Sequence, residues 1–269
     1  MKQDRQRQIL QLLQQKQCVS VEELCRAYHV SIETIRRDLS QLEKQGMLKR
    51  VYGGAVLPDL PDSSSGLLPW NVRLSTNQFL KQALAYEALA QIPDGSVIAL
   101  DSGTTSLAIA ELLGERNNLT VITNDFHIAM ELTAHTAHKV FFIGGCIDRS
   151  EPMTTGYLAI DFLNYFSQID IAVISTDGFN DITGPSDSNI EMGALKSAMI
   201  AKSKTVVMVF DHTKFSVSCL YNVCPPDRLD ILITDELAPK KSLEKLRLAG
   251  VRIHLVPAGK ADKSSSSGG

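Results

Sequence analysis

A run of hydroxyl-bearing and small residues follows a short apolar segment near the middle of the chain. Residues 97–100 are Val-Ile-Ala-Leu, and 101–105 are Asp-Ser-Gly-Thr-Thr. Glycine lets the backbone approach an anion. The hydroxyls of Ser102, Thr104 and Thr105 and the free N–H groups of a following helix can donate to phosphate oxygens. An ordinary turn with a helix cap would use the same residues, so both interpretations stand at this point. A Walker loop is excluded because G-x-x-x-x-G-K-[ST] is absent.

Polar or small residues also end several other apolar runs. Ligands of α/β sheets bind at the carboxyl ends of the strands, so these residues are expected to meet at one edge. Each is weak evidence by itself, because Gly pairs and Asp-Gly usually mark turns. Together they favour a pocket for a small polar ligand. The residues predicted to bind this ligand, the effector of the protein, are Asp101, Ser102, Gly103, Thr104, Thr105, Asn124, Gly144, Gly145, Asp177 and Lys214.

A second constellation lies near the N-terminus, where a helix is predicted over residues 32–45. Ser31 is placed to cap its first turn, and Gly46 is placed to end it. Charged and polar residues alternate with an apolar stripe of helical period, so one face should be buried and the other solvated. The stripe consists of Ile32, Ile35, Leu39 and Leu42.

The segments around this helix favour a winged helix-turn-helix over an isolated amphipathic helix. Helices are predicted over residues 4–17 and 21–28, the second capped by Ser20, and a three-residue link without glycine precedes Ser31. A basic hairpin over 48–52 with a Gly53-Gly54 tip follows. Such a helix enters the major groove while the wing sets cations against phosphate. The predicted DNA-binding residues are Ser20, Ser31, Glu33, Thr34, Arg36, Arg37, Ser40, Gln41, Lys49, Arg50 and Tyr52.

The charge of the 269-residue chain is distributed unevenly. Residues 1–57 carry ten Lys and Arg against six Asp and Glu, a net +4. The rest carries seventeen against twenty-four, a net −7, which gives −3 overall. Hydrophobic residues make up 44 % and charged residues 21 %, as in globular proteins. A small basic module joined to a larger acidic one fits a DNA reader with a separate sensing body.

The sequence predicts no metal, no cofactor and no membrane span. The five cysteines are odd in number and form no C-x-x-C pair, so a reducing cytoplasm is the simplest location. His135 and His138 lack an accompanying cluster of ligands. No apolar run approaches the roughly 18–20 residues of a membrane span, and the N-terminus lacks the apolar segment of a signal peptide.

The pattern after residue 75 alternates apolar runs with helical segments, which predicts a parallel sheet covered on both faces. The predicted domains are therefore a winged helix-turn-helix (1–57), a Pro/Ser-rich linker (58–74), an α/β domain for effector binding and oligomerisation (75–259) and a disordered tail (260–269). Strands are predicted over 97–100, 120–123, 139–143, 169–175, 205–210, 231–234 and 252–256. Helices are predicted over 78–91, 105–114, 126–133, 159–165, 193–201 and 241–249.

The N-terminal run VSVEELCRAYHVSIETIRRDLSQLEKQGMLKRVYGGAVL resembles the DNA-binding domain of the DeoR family of bacterial transcriptional regulators. The TIRRDL core, the LEKQG turn and the R-x-x-GGA wing carry this resemblance. It continues through D-x-G-T-T, T-N, G-G, D-G and D-H-[ST]-K-F, all present in order, and through Arg73 and Lys81 after the linker. One departure is visible, because Ile190 and Met192 flank Glu191 where relatives frequently carry acidic residues.

The resemblance implies a sensing domain similar to sugar-phosphate isomerases such as ribose-5-phosphate isomerase. It also implies a repressor of a carbohydrate catabolic operon, controlled by a phosphorylated sugar held at residues 102–105. The expected partners are double-stranded operator DNA, this effector and further copies of the chain in an even number. The alternative is an isomerase-like enzyme with a DNA-binding appendage, for which Asp101, Asp177 and Glu191 are the candidate bases. An architectural DNA-binding protein would leave the polar strand ends unexplained.

Overall fold

The computed structural model describes residues 2–16, 18–51, 54–57, 70–147 and 151–258. The chain divides into two compact units between Gln78 and Phe79. Tyr52, the wing-tip Gly53, residues 58–69 of the predicted linker, residue 259 and the predicted tail (260–269) lie outside the described residues. Of the helices in the described ranges, none is long and apolar enough to cross a membrane.

The N-terminal unit begins with three helices, as the sequence predicted. The predicted caps are confirmed: the Ser20 hydroxyl accepts from the Glu23 amide at 3.0 Å, and Ser31 accepts from the Thr34 amide. His29 adopts a left-handed backbone (φ +52°), so it turns the chain between the second and third helices without a glycine. The elements of this unit are α1 Lys2–Lys16, β1 Cys18–Ser20, α2 Val21–Tyr28, α3 Ile32–Lys44, β2 Lys49–Val51, β3 Gly54–Val56 and α4 Trp70–Ser75.

The wing is a three-stranded sheet rather than the two-stranded hairpin that the sequence predicted. The order is β1-β3-β2, with antiparallel pairing of β1 to β3 over three residues. The prediction missed β1 because a three-residue strand has too few positions to display an alternating pattern. Gly54 permits the pairing, since a Cβ there would lie 2.2 Å from the Val19 carbonyl oxygen. The wing is thereby joined to the segment between α1 and α2.

One member of the predicted apolar stripe of α3 is not in the core. Ile35, Leu39 and Leu42 are 0–2 % exposed, whereas Ile32 is 49 % exposed. Asp38 is buried instead, at 1 % exposure. The prediction was wrong for Ile32, because helical period defines a face but not how far along that face neighbouring elements extend.

The C-terminal unit is an α/β domain around a seven-stranded sheet of order β15-β14-β12-β9-β4-β5-β6, in which every pairing is parallel. The predicted strands are confirmed within two residues at each end. The elements of this unit are α5 Gln78–Ala90, β4 Val97–Leu100, α6 Thr104–Ala110, β5 Thr120–Thr123, α7 Phe126–His135, β6 Lys139–Phe142, β7 Cys146–Ile147, β8 Thr154–Thr155, α8 Tyr157–Phe162, β9 Ile169–Ile174, β10 Gly178–Asn180, β11 Gly184–Asp187, α9 Ile190–Lys202, β12 Ser203–Val209, β13 Tyr221–Asn222, β14 Ile231–Asp235, α10 Lys240–Leu248 and β15 Arg252–Val256.

The strand order reverses between β4 and β9. Strands β5 and β6 extend from one side of β4, and the chain then returns to the other side through β9 and continues to β15. Ligands of open α/β sheets bind outside the carboxyl ends of the strands at such a switch point, because the connections there leave in opposite directions. The segment after β4 and the segment after β9 therefore flank the favoured place for a ligand.

Two small antiparallel sheets were not predicted. Strands β7 and β8 pair with each other, and β10, β11 and β13 form the second sheet. The chain around β8 folds back over the ends of β5 and β6, since the Thr154 amide donates to the Asn124 carbonyl and its hydroxyl donates to the Ile143 carbonyl. These short strands position residues 154–155 and 187 near the switch point.

Candidate functional site

The exposed face of α3 carries Arg36 and Arg37, which the sequence predicted to bind DNA. Arg36 is exposed and makes no hydrogen bond or ion pair with any residue that the structure describes. Arg37 forms an exposed ion pair with Glu33 at 3.2 Å. The hydroxyls of Thr34 and Ser31 lie 2.9 Å apart. Arg36 is therefore a cation that an anionic partner can contact without breaking a hydrogen bond or ion pair among the described residues.

The wing is tied to the recognition helix by Arg50. Its amide donates to Glu43 Oε1 at 2.9 Å, and its guanidinium donates to the Ser40 hydroxyl at 2.5 Å. Lys49, the other predicted wing cation, is exposed. The structure thus brings the predicted residues Ser40 and Arg50 together, with Arg50 fixing the wing against α3.

A buried polar network that the sequence did not reveal holds α3 against α1. Arg5 Nε donates to Asp38 Oδ2 at 2.6 Å, and Gln6 Nε2 donates to Asp38 Oδ1 at 3.1 Å. The same Gln6 amide lies 3.2 Å from Gln41 Oε1, so Gln41 faces α1. Asp38 is a positioning residue for the recognition helix. Its place within the apolar period of α3 was the only available signal.

At the switch point, the side chains of Ser102 and Asn124 meet two methionines. The Ser102 hydroxyl donates to Met153 Sδ at 3.0 Å and lies 3.7 Å from Met192 Sδ. Asn124 Nδ2 donates to the Thr154 carbonyl at 2.8 Å and to Met192 Sδ at 3.5 Å. Asn124 Oδ1 is buried and has no hydrogen-bond partner among the described residues. A buried acceptor without a donor is costly, so this oxygen is suited to accept from a ligand.

The turn after β4 is shaped by Gly103 and held by Asp125. Gly103 has φ +137°, a conformation that side-chain-bearing residues rarely adopt, and its amide donates to Asp125 Oδ2 at 3.3 Å. Burial raises the pKa of Asp125, against the opposing effect of backbone amides of α7 that donate to it. Thr104 is buried and Thr105 is half-buried. The Gly103 amide is thus already engaged, and the hydroxyls beside it remain the better candidates for contacting an anion.

Asp101 lies in a buried cluster of charges rather than at the surface of the site. It accepts from the Ser106 hydroxyl and from the Ser175 amide and hydroxyl, and Lys196 Nζ lies 3.4 Å from its Oδ2. Lys196 also contacts Asp187 at 2.5 Å. Burial raises the pKa of Asp101, although Lys196 opposes this. The role of Asp101 that this geometry supports is to position the two switch-point turns.

Lys196 is the centre of this cluster and was not among the predicted site residues. Burial acts to lower its pKa, but the carboxylates of Asp187, Asp101 and Asp177 outweigh burial and hold the pKa above its usual value. Burial likewise raises the pKa of Asp187 despite the ammonium beside it. The ammonium of this one lysine therefore interacts with carboxyl groups from β11 and from the segments after β4 and β9.

The predicted residue Asp177 interacts electrostatically with Lys196 of this cluster and with the predicted residue Lys214. Burial acts to raise the pKa of Asp177, but the nearby Lys196 ammonium and the Ser188 hydroxyl hold it below its usual value, and Lys214 acts in the same direction. The Ser188 hydroxyl donates to Asp177 Oδ2 at 2.5 Å. Asp177 is thus fixed by its neighbours, while Lys214 is half-buried within electrostatic reach of it.

Gly144 and Gly145 both follow β6 and differ in what they permit. A Cβ at Gly145 would lie 2.5 Å from the Thr155 carbonyl oxygen, whereas none of the described atoms lies within 4 Å of a Cβ at Gly144. Gly145 lets the chain around β8 approach. The Thr155 hydroxyl in turn donates to Glu191 Oε2 at 2.7 Å, which links this segment to the start of α9.

Arg73 and Lys81, which carry part of the family resemblance, both contact other residues of the protein. Arg73 lies over the ring of Trp70, with its guanidinium carbon 5.4 Å from the ring centroid. Lys81 is half-buried on α5 and engaged by neighbours. In the described part of the chain, no group of three or more His, Cys, Asp and Glu side chains is arranged to hold a metal ion.

Both units of the chain are similar to domains of known proteins. Residues 5–60 match a family profile described as a DeoR-like helix-turn-helix domain, and residues 76–236 match one described as the DeoR C terminal sensor domain. The HTH-type transcriptional regulator GolR of Listeria innocua is 34 % identical, over 94 % of this chain and 98 % of that protein. The glycerol-3-phosphate regulon repressor of Escherichia coli is 31 % identical, over 92 % and 96 %.

Among solved structures, ribose 5 phosphate isomerase A from Neisseria gonorrhoeae has a TM-score of 0.41 to this chain, with 17 % identity. The superposition covers 54 % of this chain and 56 % of the isomerase. This partial likeness indicates nothing about activity. The two family matches cover both units, and relatives matched over nearly their full length are named as transcriptional regulators. The chain therefore belongs to the DeoR family of DNA-binding transcriptional regulators.

Proposed function

We propose that this protein is a cytoplasmic repressor of a carbohydrate catabolic operon, controlled by a phosphorylated sugar bound to its C-terminal unit. Residues 75–259 form the effector-binding and oligomerisation domain, and an even number of copies presents pairs of α3. Two such helices enter major grooves about one helical turn, or 34 Å, apart. The name of the glycerol-3-phosphate regulon repressor supports a small phosphorylated metabolite as the effector.

The DNA-binding part of this proposal rests on the exposed face of α3 and on the wing. Arg36 contacts guanine edges or phosphate, Lys49 contacts the backbone from the wing, and Arg50 keeps the wing beside α3. These roles are supported by the exposure of Arg36 and Lys49 and by the contacts of Arg50 with Ser40 and Glu43. Glu33, Thr34 and Arg37 contribute after exchanging their present protein contacts for DNA.

Replacing Arg36 by alanine should weaken binding to the preferred DNA about 10- to 100-fold, because one base-contacting arginine is lost. The probe is the duplex enriched by the wild-type protein from a randomised library of about 30 base pairs, long enough for two half-sites. Binding is measured by fluorescence anisotropy at fixed salt. Arg247→Ala, on the exposed surface of α10, is the matched control and should bind normally. An Arg36→Ala protein that binds as tightly as wild type would exclude this role.

The observation that carries the effector half is the buried, unpartnered Asn124 Oδ1 beside Ser102 at the switch point. A ligand hydroxyl donates to this oxygen, and the hydroxyls of Ser102, Thr104 and Thr105 donate to the phosphate. Ser102 can exchange its contact with Met153 for a phosphate oxygen at little cost, because a thioether is a weak acceptor. Effector binding changes DNA affinity only by its differential affinity for the two arrangements of the DNA-binding units.

A thermal-shift screen of phosphorylated sugars against their free counterparts tests this half. A ligand at about 100 times its Kd stabilises the folded state by ~2.7 kcal/mol, which corresponds to a rise in Tm of about 5–10 °C. Thr104→Glu should abolish the rise by placing a carboxylate against the phosphate. Ser102→Ala should reduce it without added bulk. Thr133→Glu, on the exposed surface of α7, should leave it unchanged. If no phosphorylated sugar raises the Tm, the effector proposal is wrong.

We favour this sensor over the isomerase alternative. Aldose–ketose isomerisation needs a general base free to take a proton from a sugar carbon. Asp101 is held by Ser106, Ser175 and Lys196, while Asp177 is held by Ser188 and Glu191 accepts from Thr155. Relatives matched over nearly their full length carry the names of regulators and repressors.

A further inference from the structure

Ile32 is an apolar side chain in an unexpected place on the recognition helix. It is the first residue of α3 and is 49 % exposed, although the other members of its stripe are buried. We propose that Ile32 reads the 5-methyl group of a thymine in the operator. The inference rests on the proposed DNA-binding role of α3 and names a base that this helix recognises.

The position of Ile32 is the one from which a recognition helix reaches base edges. In helix-turn-helix proteins, residues at the N-terminal end of the second helix contact bases in the major groove. Ile32 and Arg36 are four residues apart, so they share one side of α3. Arg36 makes no hydrogen bond or ion pair with the residues that the structure describes. This side therefore presents a cation and an aliphatic group to the same stretch of groove.

Apart from Arg36, the polar side chains that flank Ile32 are already engaged within the protein. Glu33 pairs with Arg37, and Thr34 lies 2.9 Å from the Ser31 hydroxyl. Further along α3, Gln41 is bonded to Gln6. Ile32 has no such contact to break, so its approach to a base edge costs no protein hydrogen bond.

Thymine is the base whose major-groove edge carries a methyl group, and aliphatic side chains recognise thymine through it. The surroundings disfavour burial of Ile32 against a protein instead. Glu33, Arg36 and Arg37 next to it are all exposed and charged, and an apolar protein surface would have to desolvate them. DNA gives the cations phosphate or guanine to contact while the methyl group meets the isoleucine.

The test compares thymine with uracil, which lacks the methyl group at C5 and is otherwise identical. The probe is the duplex enriched by the wild-type protein from a randomised library, resynthesised with deoxyuridine at each thymine in turn. The wild-type protein should bind about fourfold more weakly when the contacted methyl is removed, and more weakly still when both half-sites lose it. Ile32→Ala should bind the thymine and uracil probes equally, which isolates the pairwise contact.

Met47→Ala is the matched control. Met47 lies just beyond α3 and is 47 % exposed, so its removal deletes a similar exposed apolar side chain. This variant should keep the sensitivity to uracil. If every uracil probe binds the wild-type protein as well as thymine does, or if Ile32→Ala keeps the same sensitivity, the inference is wrong. If no duplex is enriched at all, the failure lies with the proposed DNA-binding function.

Discussion

Replacing Lys196 by methionine should lower the free energy of unfolding of the C-terminal unit by about 3–5 kcal/mol, because the change leaves buried carboxylates without their counter-charge. Lys196 is 4 % exposed, and its ammonium lies 2.5 Å from Asp187 and 3.4 Å from Asp101, both also buried. Methionine fills a similar volume, so the loss reflects charge rather than a cavity. This is the largest single-residue effect that we expect in the protein.

The loss of stability in Lys196→Met should depend on pH, and the carboxyl groups of Asp101 and Asp187 determine whether it grows or shrinks as pH falls. Burial already raises the pKa of Asp101 and Asp187, and removing Lys196 removes the main opposing effect. A carboxyl group with a raised folded-state pKa contributes stability below its unfolded pKa of about 4 and loses it as pH rises through the folded value. The difference between Lys196→Met and wild type should therefore shrink as pH falls from about 8 toward about 5.

Urea unfolding of the full chain followed by circular dichroism measures this effect. Lys204→Met is the matched control, because Lys204 forms an exposed ion pair with Asp170 and such pairs contribute about 0–1 kcal/mol. Lys196→Gln keeps hydrogen-bonding capacity without charge, so it separates the contribution of the charge from that of the hydrogen bonds. It should be nearly as unstable as the methionine variant. A Lys196→Met protein as stable as wild type at neutral pH would contradict the counter-charge role.

Replacing Asp38 by alanine should destabilise the N-terminal unit by about 2–3 kcal/mol. The change leaves the buried Gln6 amide and the Arg5 guanidinium without the acceptor that they share. Arg5 is 18 % exposed and can turn toward water, which keeps the effect below that of a fully buried pair. DNA binding should weaken as well, since the network joins the recognition helix to α1.

The single tryptophan of the chain, Trp70, provides a selective measurement. It lies in the N-terminal unit, so its fluorescence follows unfolding of that unit. Asp38→Ala should shift the Trp70 transition to lower urea, and Asp38→Asn should shift it less because one acceptor remains. Glu33→Ala removes an exposed ion pair of α3 and should change stability by about 0.5 kcal/mol or less. An unshifted transition in Asp38→Ala would mean that the network does not stabilise the unit.

The sequence alone determined the three N-terminal helices and the seven strands of the large sheet, because their signals are local. Ser20 and Ser31 cap helices where predicted, and α2 has the predicted bounds. The seven parallel strands followed from apolar runs, since a strand covered on both faces needs nearly continuous apolar side chains. The residues that follow β4, β5, β6, β9 and β12 were predicted as a site from their strand-end positions, their chemistry and the family resemblance, and that assignment remains a prediction.

Only the tertiary structure decided how these elements are arranged. The strand order, and thus the switch point between β4 and β9, depends on which strands pair across long stretches of chain. Lys196 meets Asp101 and Asp187 although no local period relates them. The return of the chain at β8, which brings Thr154 to Asn124, left no pattern because two-residue strands are too short to show one.

The stripe of α3 illustrates the same limit within one helix. Helical period correctly selected Ile35, Leu39 and Leu42 for the core, but it also selected Ile32 and passed over Asp38. Period reports the direction in which a side chain points, which is a property of the helix itself. Burial depends on what lies opposite, and that is set by α1 and the wing after the chain has folded.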